Sequence, residues 1–334
     1  MREKFYMKEM RSIMPKVSVI IPNYNGEKYL RGCIESLRKQ DDLDFETIII
    51  DNASQDSDYK WLNEYKDIIF KRLDKNYGFS PAVNVGIKMA QGEYVLLLNN
   101  DTVVEKDFVR QMVKAIEKDK RIFGVSSKMI AYQDHSIMDD AGDEYTVLGW
   151  AYKTGDGKPV EEFIKSRKVF SACAGAALYR KRVFDEMGLF DETFFAYMED
   201  VDVSYRARIY GYYNVYCPEA KVYHIGSATS GSKYNEFKVR LAARNNVYVP
   251  YKNMPLLQLI LNLPALFIGT FVKYIWFHKK GFGKVYKEGL IEGFKSLSKV
   301  KKVPYKWKHL THYLHIEWLL IKNTFKYIVA KVKK

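Results

Sequence analysis

The chain is poor in the residues on which several large protein classes depend. Its three cysteines are Cys33, Cys173 and Cys217. No two stand at metal-ligand spacing and the number is odd, so they read as core thiols in a reducing cytosol. No GxGxxG follows the first apolar run, and no GxxxxGK[ST] occurs anywhere. A dinucleotide-dependent dehydrogenase and a P-loop NTPase are thereby disfavoured. The opening residues MREKFYMKEMRSIM hold no long apolar run, so neither a signal peptide nor an anchor is read there. The last quarter lacks arginine altogether. From Tyr251 to Lys334 there are 17 Lys, no Arg and 3 acidic residues, which is the whole net charge of +14. The 37 basic and 37 acidic residues before it cancel. This division predicts a neutral globular body with a basic appendage. A nucleic-acid arm is the competing reading of such a tail, but Arg, the usual reader of base edges, is missing from it.

What is present begins with short apolar runs that end in polar residues. Val17 to Ile21 stops at Pro22, Glu46 to Ile50 at Asp51, and Tyr94 to Leu98 at Asn99-Asn100-Asp101, with a further run from Ile68 to Leu73. Between them, Leu30, Cys33, Ile34 and Leu37, then Ala82 to Ala90, then Val109, Met112, Val113 and Ile116 read as helices. Strands alternating with helices predict an α/β fold with a doubly wound, mostly parallel sheet. Ligands then bind beyond the carboxyl ends of the strands, where Asn23-Tyr24-Asn25, Asp51-Asn52 and Asn99 to Asp101 cluster. After residue 120 the alternation fails, and residues 132–168 read as loops and short strands. Helices are expected near Arg182 to Met187 and over Glu199 to Tyr210, with a boundary near Lys252 to Pro255.

Each polar cluster admits a chemical and a plain structural reading. Asp51 can accept from the imide N–H of a pyrimidine base or from a ribose hydroxyl, or it can cap the next turn. Tyr24 can stack on a base or simply pack. Asp101 can hold a hard divalent cation that neutralises a pyrophosphate leaving group, or cap the helix near Glu105. Glu199 and Asp200 follow the aromatic run Phe194-Phe195-Ala196-Tyr197. They suit a helix start, where the dipole favours carboxylates, or a general base that deprotonates an attacking hydroxyl. The aromatic run, Phe195 and Tyr197 in particular, would then wall an acceptor sugar site. His224 precedes the loop Gly226-Ser-Ala-Thr-Ser-Gly231 and is either a satisfied structural histidine or a ligand.

Taken in order, these blocks resemble glycosyltransferase family 2, which has the GT-A fold. The resemblance runs from Val17-Ser-Val-Ile-Ile-Pro-Asn-Tyr-Asn-Gly26 through Asp51-Asn-Ala-Ser-Gln-Asp56 and Asn76-Tyr-Gly-Phe-Ser-Pro-Ala-Val-Asn-Val-Gly86 to Gly92 to Asp101. It continues through Ala174 to Leu178, Phe184 to Glu192, Phe195 to Ser204 and Val222-Tyr-His224. The wording is most similar to the rhamnosyltransferase-like branch. It implies an inverting transfer from a dTDP- or UDP-linked sugar to a saccharide or lipid-linked acceptor of the cell envelope. It also implies that Pro22, Tyr24, Asn25 and Asp51 meet the nucleoside, with Asn76, Gly78 and Asn84 in the same pocket and Asn99 and Asn100 beside it. Asp101 and His224 would hold Mn²⁺ or Mg²⁺. Asp200, with Glu199 beside it, would be the base, and Arg244 would meet the diphosphate. Asn99 stands where the family's Asp-x-Asp motif has its first Asp, which removes one charge from the metal site. A catalytically inactive scaffold of the same fold is the other alternative, opposed by the joint presence of Asp101, Asp200 and His224.

The expected organisation is an N-terminal extension over 1–15, a catalytic domain over 16–250 and a basic membrane-associating region over 251–334. Leu256 to Phe277 is long enough to span a bilayer, although Gln258, Asn262, Pro264 and Lys273 interrupt it. A span would keep the Lys-rich tail inside and strand the body outside, away from nucleotide sugars. A helix lying at the anionic inner face of the cell membrane avoids that conflict. A helical hairpin packed on the body is the plain alternative.

Overall fold

The computed structural model describes residues 14–41, 44–226 and 234–332. Most of the N-terminal extension, and the loop after Gly226 read above as site-flanking, fall outside these residues. In chain order the strands are β1 (Val17–Asn23), β2 (Phe45–Asp51), β3 (Ile68–Arg72), β4 (Tyr94–Leu98), β5 (Thr102–Val104), β6 (Ile122–Ala131), β7 (Met138–Asp140), β8 (Asp143–Tyr145), β9 (Ala151–Lys153), β10 (Arg167–Val169), β11 (Ala176–Arg180) and β12 (Tyr213–His224). The helices are α1 (Glu27–Leu37), α2 (Phe79–Met89), α3 (Phe108–Ile116), α4 (Lys181–Met187), α5 (Glu199–Ile209), α6 (Glu236–Asn253), α7 (Leu256–Lys279), α8 (Gly283–Lys295) and α9 (Leu310–Val332).

The central sheet has the order β10-β12-β6-β11-β4-β1-β2-β3. β1 pairs in parallel with both β2 and β4, and β11 runs antiparallel between β4 and β6. The expected doubly wound, mostly parallel α/β sheet is therefore present. Strand residues alternate between two cores, as a period of two requires. Val17, Val19 and Ile21 face α1 and α3, whereas Ile20, Ile48 and Ile50 face α2, α4 and α5. The order of strands reverses at β1, because β2 lies on one side of it and β4 on the other. The carboxyl ends of β1 and β4 thus flank a crevice at a topological switch point, the place where such sheets bind ligands.

The boundary expected near Lys252 to Pro255 falls between α6 and α7, and side chains pack across it. A third core joins Tyr145, Phe170, Val201, Tyr205 and Ile209 of the body to Tyr248, Met254, Val300, Tyr313, Ile316 and Leu320. Polar links reinforce it. Asn323 Nδ2 donates to Glu144 Oε2 at 3.0 Å and to the Tyr145 carbonyl at 3.1 Å. Lys252 Nζ reaches Asp191 at 2.6 Å and Asp202 at 2.9 Å, and Asp202 also takes Arg206 Nε at 2.9 Å. Two glycines show how closely the helices approach. A Cβ on Gly269 of α7 would overlap the Leu148 carbonyl, and one on Gly289 of α8 would overlap the Arg240 carbonyl of α6. The tail is basic and helical as expected, but it completes the body's core.

Candidate active site

Two adjoining cavities open at the carboxyl edge of the sheet. The first, of about 480 Å³, is lined by Pro22, Tyr24, Asn76, Gly78, Asn99 and Asn100. Asn23, Asn52, Phe79, Ala196 and Phe237 line it too. Its floor is a buried amide network. Asn100 Nδ2 donates to Asn23 Oδ1 at 2.6 Å, and Asn23 Nδ2 donates to Asp51 Oδ1 and Tyr59 Oη, both at 2.8 Å. The β1–β2 register, which sets Asn23 opposite Asp51, builds this contact. Asp51 also meets Ser54 and lies 3.3 Å from Arg72 Nε. It therefore sits beneath the cavity lining, with its carboxylate already shared among protein donors. Asn25 takes positive φ and ties the loop down through Ser54 Oγ and the Gln55 amide.

Three assignments need correction. Asn84 does not face the cavity: it binds the Phe190 carbonyl, the Phe190 amide and Glu192, so it fastens α2 to the segment before the aromatic run. Arg244, expected at the diphosphate, is engaged within the protein. Its guanidinium donates to the carbonyls of Phe194 at 2.8 Å and Thr193 at 3.3 Å and to Glu292 at 3.2 Å. Phe195 lines the first cavity, not the second. The cause in the last two cases is one loop. Phe195, Tyr197 and Met198 all have positive φ, between 61° and 70°, a costly state for residues with side chains. Such a turn leaves carbonyls that no regular element satisfies. Asn245 Nδ2 takes those of Phe194, Ala196 and Tyr197 at 2.7–3.1 Å, and Arg244 helps. From the other side, the Phe79 amide donates to the Phe195 carbonyl at 2.6 Å. Gly78, at φ 95°, is required there, since a Cβ would strike Phe195.

The second cavity, of about 670 Å³, shares Phe79 and Tyr197 with the first. Glu199 and Asp200 from the start of α5 line it, with Asp143, Trp150, Tyr152, Lys153 and Cys173. Asp200 Oδ1 accepts from the Val201 amide at 2.8 Å, and the Ala174 amide also donates to the carboxylate. Burial nonetheless raises its pKa above the usual carboxylate value. Glu199 is more deeply buried, and burial with the neighbouring Asp200 charge pushes its pKa far up. Its Oε2 has no hydrogen-bond partner.

Between the cavities and β12 lies a chain of charges. The antiparallel β5–β12 pairing sets His224 against Thr102 and hence beside Asp101. His224 Nε2 stands 3.3 Å from Asp101 Oδ1, and Nδ1 stands 2.7 Å from Asp139 Oδ2. Lys153 Nζ reaches the other oxygen of Asp139 at 2.9 Å. Burial alone would lower the His224 pKa, but the two flanking carboxylates raise it to about 9. Burial opposes ionisation of Asp139 as well, yet His224 and Lys153 hold it well below the usual carboxylate range. Asp139 was not foreseen, because it lies in the loop-like stretch 132–168, where no periodicity indicates which residues meet. Asp140, Asp143 and Cys173 also converge, their ligand atoms within 4.8 Å of one another. Burial raises Asp140 to about 6 and lifts Asp143 and Cys173 further. The soft thiol of Cys173 suits a hard divalent cation less well than the donor set of Asp101 with His224.

Residues 18–188 match the glycosyl transferase family 2 domain. Among curated proteins, the chain is 30% identical over 234 residues to the uncharacterized protein y4gI of Sinorhizobium fredii, covering 65% of this chain and 25% of that one. It is 30% identical over 155 residues to the putative glycosyltransferase EpsH of Bacillus subtilis, covering 46% and 42%. It is 33% identical over 112 residues to the poly(ribitol-phosphate) beta-N-acetylglucosaminyltransferase TarS of Staphylococcus aureus, covering 31% and 19%. In each case the match spans less than half of the relative. Among solved structures, the fold matches GalNAc-T7 with UDP, GalNAc and Mn²⁺ at a TM-score of 0.59 and 19% identity, over 71% of this chain and 48% of that one. It matches S. aureus TarS 1–349 in complex with UDP-GlcNAc at 0.50 and 20% identity, over 77% and 73%. The sheet order and the family match agree, and the chain belongs to glycosyl transferase family 2, with the GT-A fold.

Proposed function

We propose that the chain transfers a sugar from a UDP- or dTDP-linked donor to a saccharide acceptor by a single displacement with inversion. The supporting observation is the pair of cavities that share Phe79 and Tyr197. One is lined by amides suited to a nucleoside diphosphate; the other presents Asp200. Asp200 is the base: it accepts the proton of the acceptor hydroxyl as that oxygen attacks the anomeric carbon. Its raised pKa brings its proton affinity nearer neutrality, which favours this role. Asn23, Asn76 and Asn100 orient the donor, and Tyr197 closes the path between donor and acceptor to water. Asp101 and His224 fit a divalent cation, since a carboxylate and an imidazole that already converge at 3.3 Å can face one ion. When bound, such an ion neutralises the departing pyrophosphate. Asn99 contributes a neutral oxygen at most, so metal affinity is expected to be modest.

Calorimetric titration with UDP and dTDP tests this reading. UDP or dTDP should bind more tightly with Mn²⁺ or Mg²⁺ than with EDTA. Asp101→Ala should remove at least about tenfold of that gain, the scale of losing one charged ligand. Nucleotide binding that is indifferent to chelation and to Asp101→Ala would remove the metal from the scheme. Failure to bind any nucleotide would remove the donor site.

The tail is assigned to an anionic membrane surface at the cytoplasmic face. Helix α7 is long and apolar enough to cross a bilayer, with a mean hydropathy of 1.7 over its most apolar 18 residues, of which only 11% are buried. Leu257, Leu261 and Phe267 of α7 and Leu314 and Phe325 of α9 are each more than 60% exposed. Large exposed apolar faces rimmed by lysine suit an interfacial site. An envelope polysaccharide as product is consistent with the likeness to TarS and EpsH. The protein should co-sediment with phosphatidylglycerol vesicles at low salt. Raising the salt should weaken binding by about tenfold without abolishing it, because screening acts on the lysines and not on buried apolar side chains. Leu261→Asp with Phe267→Asp should abolish it. Protein that stays in the supernatant at low salt excludes the assignment.

A further inference from the structure

The acceptor cavity has two unlike walls. The body's wall carries Asp200. The opposite wall is built from the tail, by Val272, Lys273, Trp276 and Phe277 of α7 and by Tyr327 and Lys331 of α9. Lys273 is half-buried, with its ammonium 5.9 Å from the centre of the Trp150 ring. Burial is the cause of its lowered pKa, about 8, and among the described residues no acidic group opposes it. A desolvated cation without a counter-charge is costly unless an anion arrives to pair with it. The surrounding wall is apolar and does not end at the cavity. Ile268, Val272 and Trp276 stand at successive i,i+4 positions, so they form one stripe. Val272 and Trp276 line the cavity, while Ile268 is 56% exposed and continues the stripe outward. It joins the exposed face formed by Leu261 and Phe267.

Read from the inside outward, the cavity offers a base for a sugar hydroxyl, a cation for an anion, and an apolar track leading out of the protein. We propose, on the basis of the glycosyltransferase reading, that the acceptor is a lipid-linked saccharide whose phosphate pairs with Lys273 and whose chain leaves along the α7 stripe. Neither a free oligosaccharide nor a phosphate without a lipid would use all three features. An ammonium pairs with phosphate through charge-assisted hydrogen bonds, which gain strength in a partly dehydrated pocket. The saccharide end is then directed at Asp200, because the exposed apolar stripe that suits the lipid end lies on the tail side.

Farnesyl phosphate serves as a probe of the phosphate and lipid portions, with farnesol and glycerol 3-phosphate as its two halves. All three are titrated calorimetrically into the full chain, below the concentration at which farnesyl phosphate forms micelles. Farnesyl phosphate should bind at least about tenfold more tightly than either half. Lys273→Gln should bring its affinity down to that of farnesol without changing farnesol binding, and Lys273→Arg should restore it. Equal binding of farnesol and farnesyl phosphate to the wild type overturns the cation's role even if every variant misfolds. Glycerol 3-phosphate binding as tightly as farnesyl phosphate overturns the lipid. UDP is titrated in the same preparations. Loss of UDP binding alone would count against the donor site, not against the acceptor assignment.

Discussion

Asp200→Asn is expected to lower turnover by about 10²-fold or more, the scale of a lost general base, while nucleotide affinity and melting temperature stay near wild type. The amide can still accept from the Val201 and Ala174 amides, so the start of α5 keeps its shape. It cannot accept a proton. The substituted side chain lines only the acceptor cavity, and for that reason donor binding should be spared. Single-turnover kinetics with saturating donor isolate the chemical step. Unchanged turnover would move the role to Glu199, which lines the same cavity.

The second large effect concerns the tail. Ending the chain before Pro255 is expected to give insoluble or unfolded protein, not the soluble nucleotide-binding body that charge distribution alone predicts. The cut would strip Val300, Tyr313, Ile316 and Leu320 from Tyr145, Phe170, Tyr205 and Ile209. Large apolar side chains contribute about 1.5–3 kcal/mol each when buried. Losing several on both sides of the contact is comparable to the roughly 5–15 kcal/mol that holds a domain folded. Asn323 would also abandon Glu144 and the Tyr145 carbonyl. Circular dichroism melts of the truncated and full chains decide the matter. A cooperative melt of the truncation with retained UDP binding would restore the separable boundary.

These two results mark where the sequence was legible and where it was not. Strand ends were legible because an apolar run that stops at Asp51 or Asn99 can bury only one way in a parallel sheet. Both therefore came out at the ligand edge. The direction of individual side chains beyond those ends was not legible. Arg244 sits in the right block but is turned to the carbonyls of Thr193 and Phe194, because a loop with positive φ at three side-chain-bearing residues needs donors that a linear reading does not anticipate, and Asn84 is turned to Phe190 and Glu192 instead. Asp139 was hidden for a different reason. It meets His224 only after β7 pairs with β6 and β6 with β12, and the three residues of β7 carry no periodic signal of that pairing. The tail misled in a third way. Its leucines, phenylalanines and lysines alternate between a face that packs and a face that does not, and hydropathy sums the two.

The strained loop at Phe195 to Met198 has a thermodynamic consequence. One peptide carbonyl, that of Phe195, accepts from the Phe79 amide beneath the nucleotide cavity. Two residues on, Tyr197 lines both cavities. Anything that shifts this loop on one side is felt on the other, so the two substrates are not independent variables for the protein. If a seated nucleotide relieves part of the backbone strain, the acceptor then meets a loop already set, and its affinity rises by some factor. By reciprocity, the acceptor must raise the affinity for the nucleotide by that same factor. Synergy between substrates, and with it a preferred order of arrival, would then be a property of this strained loop and of the Asn245 amide that holds its carbonyls.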